Sequence, residues 1–127
     1  MLRKIALFGM SEKGRLNHPY ICHTLIELCD TFGNPPEESF GLIFAIQAIM
    51  YEREVIFFRV QEEGYIEEDY LKGIEYLKEG KVKNLDAICI PGVGSANIID
   101  SLDPICKKHS SIIITTEKDL FDYLIEK

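Results

Sequence analysis

The sequence predicts an α/β fold, a three-layer α/β/α sandwich built around a mainly parallel sheet of four strands. Four short segments are almost continuously apolar, which is typical of strands that helices cover on both faces. Longer segments with helical periodicity lie between them, as in Rossmann-like and flavodoxin-like proteins. No repeat, linker or shift in composition divides the 127 residues, so we expect residues 1–127 to form a single α/β domain.

The four apolar segments are the predicted strands. They are Arg3–Met10, Glu54–Val60, Leu85–Pro91 and Ser111–Thr116. A helix between each pair of parallel strands implies right-handed crossovers. With the strands numbered along the chain, the order 2-1-3-4 is favoured, and the order 3-2-1-4 is the alternative.

Helical spacing of apolar residues predicts five helical segments. They are Pro19–Phe32, Pro36–Glu52, Glu67–Glu79, Ala96–Ser110 and Glu117–Lys127. Pro19 suits the first turn of the first segment, and Gly33 suits the position just after its last turn. The fourth segment is expected to be interrupted near Asp103 and Pro104, because proline disrupts a helix interior.

Charge and hydropathy exclude several classes of partner. The net charge of −7 is unfavourable for general nucleic-acid binding and for attachment to an anionic membrane. The longest apolar run, Phe40–Met50, is too short to span a bilayer, and no signal peptide is visible. We therefore expect a cytoplasmic protein with no nucleic-acid or membrane partner.

The chain has four cysteines. They are Cys22, Cys29, Cys89 and Cys106. None of them has the spacing of a zinc or redox motif, so we expect reduced thiols with no disulfide and no bound metal. A metal site formed by Cys22, His18 and His23 is the less favoured alternative. The sequence contains no Walker sequence, nucleophile elbow or H-E-x-x-H pattern and identifies no cofactor.

The predicted topology places a ligand site at one edge of the sheet. In the order 2-1-3-4, the first and third strands are neighbours whose connections leave in opposite directions. Open α/β sheets bind ligands beyond the carboxyl ends of such strands. Three loops should meet there: Gly9–Pro19, Pro91–Asn97 and Thr115–Asp119.

These loops supply the candidate ligand-binding residues. They are Ser11, Lys13, Arg15, His18, Gly92, Gly94, Ser95, Thr116 and Lys118. Hydroxyl groups, basic side chains and glycine backbone suit a phosphate or another small anion. His18 suits a hydrogen-bond donor or a base. The alternative is that the glycines of the Pro-Gly-Val-Gly-Ser segment only form the turn into the next helix.

The leading functional prediction is recognition of a phosphorylated or nucleoside-like small molecule at the carboxyl edge of the sheet. No set of residues identifies a reaction, so the sequence leaves open whether the protein is an enzyme. The alternative is a non-catalytic, homo-oligomeric structural or regulatory protein. The Phe40–Met50 segment favours a homo-oligomer, because it is apolar on almost every side whereas a helix on a sheet normally has one polar face.

Two short segments resemble known enzyme families. The segment TTEKD at 115–119 resembles a stretch of the tetraacyldisaccharide 4′-kinases, but the phosphate-binding loop of those kinases is missing here. The segment GLIFAIQAIMYEREVIFF at 41–58 is similar to nucleoside deoxyribosyltransferases and related nucleoside hydrolases. In those enzymes a glutamate on a comparable helix attacks the sugar, whereas the interior of this helix offers only Gln47.

Overall fold

The computed structural model describes residues 3–126, which form five strands and five helices. The strands are β1 (Lys4–Gly9), β2 (Pro19–Cys22), β3 (Glu54–Arg59), β4 (Leu85–Cys89) and β5 (Ile112–Ile114). The helices are α1 (Leu25–Phe32), α2 (Gly41–Met50), α3 (Glu67–Lys78), α4 (Ala96–His109) and α5 (Glu117–Ile125). The last predicted helical residue, Lys127, lies outside the described residues.

The strands form one mixed sheet in the order β2-β3-β1-β4-β5. β3, β1, β4 and β5 are parallel, and β2 pairs antiparallel with β3 at one edge. The four parallel strands are the four predicted ones, and they follow the favoured relative order. The prediction of a four-stranded sheet is wrong, because β2 adds a fifth strand.

Strand β2 occupies the start of a segment whose apolar spacing predicted a helix. Pro19–Cys22 pairs with residues 55–58 of β3, and α1 begins only at Leu25. A capping box sets this start: the Thr24 hydroxyl accepts from the Glu27 N–H, and the Glu27 carboxylate accepts from the Thr24 N–H, both at 3.1 Å. Pairing with β3 therefore overrides the apolar spacing that predicted a helix.

Helices cover both faces of the sheet, as the three-layer prediction requires. Side chains of β1 alternate between two cores. Ile5 and Leu7 face α1, α2 and α5, whereas Ala6 and Phe8 face α3 and α4. Both sets of strand side chains are fully buried, which explains why these strands appear as continuous apolar runs in the sequence.

Two other helices differ from their predicted bounds. α2 begins at Gly41 rather than Pro36, because Ser39 closes a turn by donating its N–H and hydroxyl to the Pro36 carbonyl. The predicted interruption of α4 near Asp103 and Pro104 is wrong: the helix runs continuously through Pro104, which lies on its exposed side. Solvent can hydrate the carbonyl that loses its partner there, so the proline is accommodated.

The N-terminus of α2 packs directly on the carboxyl end of β1 through two glycines. A Cβ atom built on Gly9 would lie 2.6 Å from the Gly41 Cα. At this distance no side chain fits at Gly9 unless the backbone moves. This contact fixes the start of α2 against the central strand. It also places the first backbone N–H groups of the helix at the carboxyl edge of the sheet.

The four cysteines are free thiols in different surroundings. Cys22 and Cys89 are buried, Cys106 is half-buried, and Cys29 is exposed. Burial raises the pKa of Cys22 to about 11, and the nearby Glu27 carboxylate adds to this shift. Burial also raises the pKa of Cys89. Both thiols are therefore protonated at neutral pH and serve as apolar core groups.

Candidate functional site

The topology places a switch point between β1 and β4. The connection that follows β1 crosses the face covered by α1 and α2, and α4 follows β4 on the opposite face. The two strands are paired and end at Gly9 and Cys89. In open α/β sheets, the space beyond such strand ends is where ligands bind. The carboxyl edge at this point is therefore the candidate location for a ligand site.

A loop that follows β3 lies over this edge. We call residues 61–65 the covering loop. Its Glu63 carboxylate accepts hydrogen bonds from the N–H groups of Met10 at 2.8 Å, Phe40 at 2.8 Å and Gly41 at 3.0 Å. The Glu63 side chain thus occupies the N-terminus of α2, where an anionic ligand would find its donors. The protein provides this anion itself.

Both ends of the covering loop are anchored to α3. Its first residue, Gln61, donates its N–H to the buried Asp69 carboxylate at 2.7 Å. Further along, Gly64 donates its N–H to the Tyr70 hydroxyl at 2.7 Å. Burial raises the pKa of Tyr70 to about 12, and the charges of Glu63 and Asp69 add to the shift while the Gly64 bond opposes it. Tyr70 is therefore a neutral hydroxyl at physiological pH.

The covering loop also packs against the glycine-rich turn after β4. A Cβ atom on Gly64 would collide with the Gly92 carbonyl oxygen. Gly92 itself has a φ of +80°, in the region that favours glycine. By contrast, Gly94 has no atom within 4 Å of an added Cβ and no left-handed conformation. The turn thus requires glycine at Gly92, and the close approach to Gly92 requires glycine at Gly64, whereas neither requirement applies to Gly94.

The basic loop after β1 is directed toward β3 and α1. The N–H groups of Glu12 and Lys13 both donate to the Phe32 carbonyl at 3.1 Å, at the end of α1. Arg59, the last residue of β3, donates from Nη1 to the Gly14 carbonyl at 2.6 Å. Its own carbonyl accepts from the Asn17 N–H at 3.2 Å. The loop is therefore fixed over β3 and α1, on the opposite side of β1 from β4.

The predicted residues of this first loop have local partners. The Ser11 hydroxyl donates to the Lys13 carbonyl at 2.7 Å. Lys13 and Arg15 have exposed side chains, and Arg15 uses its N–H to donate to the Tyr20 hydroxyl at 2.9 Å. The His18 ring packs edge-on against the Tyr20 ring, with centroids 4.7 Å apart. These contacts hold the loop and leave its charges in solvent.

The predicted residues of the other two loops also have partners near them in the sequence or on α3. The Ser95 hydroxyl donates to the Glu67 carboxylate at 2.9 Å and does not cap α4. Thr116 caps α5 by accepting from an N–H of its first turn at 3.2 Å. Lys118 pairs with Asp122 one helical turn later at 3.2 Å. Residues 11–18 thus contact α1, β2 and β3, whereas residues 92–95 contact α3 and the covering loop.

A cavity of about 260 Å³ opens at the carboxyl edge beside the covering loop. It is lined by Met10, Glu37, Glu38, Glu62, Glu63 and Tyr65. Apart from Glu63, its carboxylates have no hydrogen-bond partner among residues 3–126, and Tyr65 is 76% exposed. This cavity at the carboxyl edge is therefore lined mainly by carboxylates.

This lining was not predicted, because the predicted site used the loops after the first, third and fourth predicted strands and not the loop after the second. The segment Gln61–Tyr65 also follows a predicted strand and also contains a glycine, Gly64. That signal could have identified the covering loop. The contribution of Glu37 and Glu38 had no such signal, because they precede α2 and reach the edge only through the packing of Gly41 on Gly9.

Comparisons with family models, with curated proteins and with solved structures find no match to this chain. Within residues 3–126, no group of three or more metal-ligating side chains is close enough to hold an ion. In the same residues, no helix combines the length and the apolar character needed to cross a bilayer. Inferences about function therefore depend on the geometry of the carboxyl edge and of the exposed helix faces.

We expect Glu63→Ala to destabilise the fold strongly. The substitution leaves three backbone N–H groups without their acceptor, and a buried unsatisfied donor costs about 1–3 kcal/mol. Urea unfolding should show a free energy of unfolding lower by at least about 2 kcal/mol. Glu62→Ala is the matched control, because its exposed side chain should change stability by less than about 0.5 kcal/mol. Equal unfolding midpoints for the two variants would contradict the role of Glu63.

We expect the two glycines of the turn after β4 to respond differently to alanine. Gly92→Ala forces a left-handed backbone on a residue with a Cβ and should cost about 1–2 kcal/mol. Gly94→Ala meets open space and should be neutral or slightly stabilising, because it restricts the unfolded chain. Thermal unfolding of both variants beside the parent protein measures this difference. A loss of stability in Gly94→Ala as large as in Gly92→Ala would show that the turn differs from this description.

Proposed function

We propose that this chain is a Rossmann-like, cytoplasmic protein that recognises a small nucleoside-like molecule at the carboxyl edge of its sheet. The supporting observation is the cavity of about 260 Å³ at the carboxyl edge, lined by Met10 after β1, by Glu37 and Glu38 before α2 and by the covering loop after β3. Pockets at the carboxyl edge of open α/β sheets are common ligand sites. The relative order of the four parallel strands supports the comparison with Rossmann-like and flavodoxin-like folds.

The lining of the cavity favours a neutral ligand with several hydroxyl groups. Ionised carboxylates only accept hydrogen bonds, so Glu37, Glu38 and Glu62 suit the hydroxyl groups of a sugar. The exposed ring of Tyr65 provides an aromatic face on which a base can stack. Of the two ligand classes that the sequence predicted, the nucleoside-like class is therefore favoured over the phosphorylated class. A phosphate would meet negative charge at this edge.

A paired ligand series tests this proposal. Thermal unfolding should be measured with each of the four ribonucleosides and, at the same concentration, with its 5′-monophosphate. We expect at least one nucleoside to stabilise the protein, by about 2.7 kcal/mol at one hundred times its dissociation constant, and its monophosphate to stabilise it much less. The difference reports the repulsion between the phosphate and the carboxylates.

Matched variants locate the site. Tyr65→Ala should remove the nucleoside-induced stabilisation, because it deletes the aromatic face of the cavity. Leu71→Ala changes an exposed residue of α3 outside the cavity and should leave that stabilisation unchanged. Equal stabilisation by a nucleoside and its monophosphate, or no stabilisation by any nucleoside, would contradict the proposal.

The second candidate function is a non-catalytic, self-associating protein, and one observation favours it. The outward side of α2 is apolar: Ile43 and Met50 are exposed, and Ile46 between them is only partly buried. A helix that packs one face on a sheet normally has polar residues on the opposite, solvent-exposed face. Self-association and ligand binding use different surfaces, so the two functions are compatible.

A further inference from the structure

The helical layer formed by α1, α2 and α5 has an apolar outer face. We call its exposed large side chains the α2–α5 face. They are Ile43, Met50, Tyr51, Phe121 and Ile125. Their exposed fractions range from 37% for Ile43 to 67% for Met50. Between the two helices runs a groove of about 460 Å³. It is lined by Gln47, Met50, Tyr51, Glu117, Lys118, Phe121 and Leu124.

The area of this face is large for a chain of this size. A large side chain presents about 200 Å² when fully exposed, so the five residues together expose on the order of 500 Å² of mainly apolar surface. Monomeric proteins rarely expose a contiguous apolar patch larger than a few hundred Å². A stable interface of standard size buries about 800 Å² on each partner. The face thus provides more than half of what a dimer needs, and polar atoms at its rim can supply the remainder.

The distribution of charge indicates which partner fits. The chain has a net charge of −7, yet the ten residues of α2 include no charged side chain, and the groove is lined by one acidic and one basic side chain, Glu117 and Lys118. Two copies of an acidic protein repel each other least when they meet on a surface with no net charge. A basic partner would instead be drawn to the acidic surfaces, such as the cavity at the carboxyl edge. A second copy of the same chain is therefore the occupant that this face fits best.

We propose that two copies of this chain pair through the α2–α5 face about a two-fold axis. In such an isologous arrangement, the ridge of Ile43 and Met50 on one copy enters the groove between α2 and α5 of the other. The Phe121 ring, half exposed at the groove, then becomes buried in both copies. This inference rests on the second candidate function and adds α5 to the α2 surface that the sequence predicted.

The rim of the groove carries polar groups that suit a two-fold pairing. Gln47 donates to the Glu117 carboxylate at 3.3 Å, and Lys118 pairs with Asp122 at 3.2 Å. Gln47, Glu117 and Lys118 line the groove beside the apolar side chains, and both signs of charge are present among them. Each copy therefore offers the other both a cation and carboxylates, as a polar rim around an apolar centre requires.

Sedimentation equilibrium on the full chain tests the pairing. The parent protein should form a species of twice its 14.5 kDa mass. Met50→Glu and Phe121→Glu each bury a charge at the proposed centre and should weaken dimerisation by at least tenfold, about 1.4 kcal/mol. Leu71→Glu is the matched control: it adds the same charge at an exposed apolar residue of α3, on the opposite side of the sheet, and should leave the dimer intact.

A folding check and a milder variant distinguish loss of the dimer from loss of the fold. All three glutamate variants should retain the circular dichroism spectrum of the parent, because the replaced side chains are exposed in the single chain. Met50→Gln adds no charge and should weaken the dimer less than Met50→Glu. A parent protein that stays monomeric at every concentration would overturn both this inference and the second candidate function. A dimer that survives Met50→Glu and Phe121→Glu would overturn only the assignment of the face.

Discussion

The structure of the carboxyl edge depends on three hydrogen bonds that the Glu63 carboxylate accepts from backbone N–H groups. The carboxylate accepts from the backbone of Met10, at the end of the central strand, and from Phe40 and Gly41, at the start of α2. These donors come from segments that are distant in the sequence. The contact between Gly9 and Gly41 brings them close enough for one side chain to satisfy them all. One carboxylate therefore joins β1, α2 and the covering loop.

This constraint bears on the ligand class that we propose for the edge. In many α/β proteins, the free N–H groups at a helix N-terminus beside the central strand attract a phosphate. Here the chain supplies the negative charge from Glu63, and the neighbouring cavity is lined by further carboxylates. The basic residues of the first loop are held over β3 and α1 by bonds to Phe32 and Arg59. These features support a ligand that donates hydrogen bonds and is not an anion.

The sequence predicted much of the layered architecture, for physical reasons that differ from element to element. The parallel strands were predicted because their side chains are buried on both faces, which makes them apolar throughout. α3 was predicted because it has a clear apolar stripe, including Tyr70, Ile74 and Leu77. β2 was missed because four residues at a sheet edge carry too little pattern, although the box formed by Thr24 and Glu27 marked the true helix start.

The residues of the predicted ligand site remain a prediction. The contacts around them show why the sequence alone could not predict the geometry of this edge. Glycines after a strand were visible, but local pattern does not show that Gly92 approaches Gly64 while Gly94 faces open space. A run of acids after β3 gives no sign that one of them, Glu63, will reach three backbone donors. Long-range hydrogen bonds of this kind depend on how the helices pack on the sheet. They become apparent only when the whole fold is assembled.

The central claim is that Glu63 fills an anion position that the fold itself creates, and chemical rescue tests it most directly. In Glu63→Ala, the position is vacated while the donors of Met10, Phe40 and Gly41 remain. Added acetate should raise the unfolding temperature of Glu63→Ala by saturable binding, while the parent protein shows only the weak, unsaturated response expected of a general salt effect. An identical dependence on acetate in the two proteins would contradict this role of Glu63.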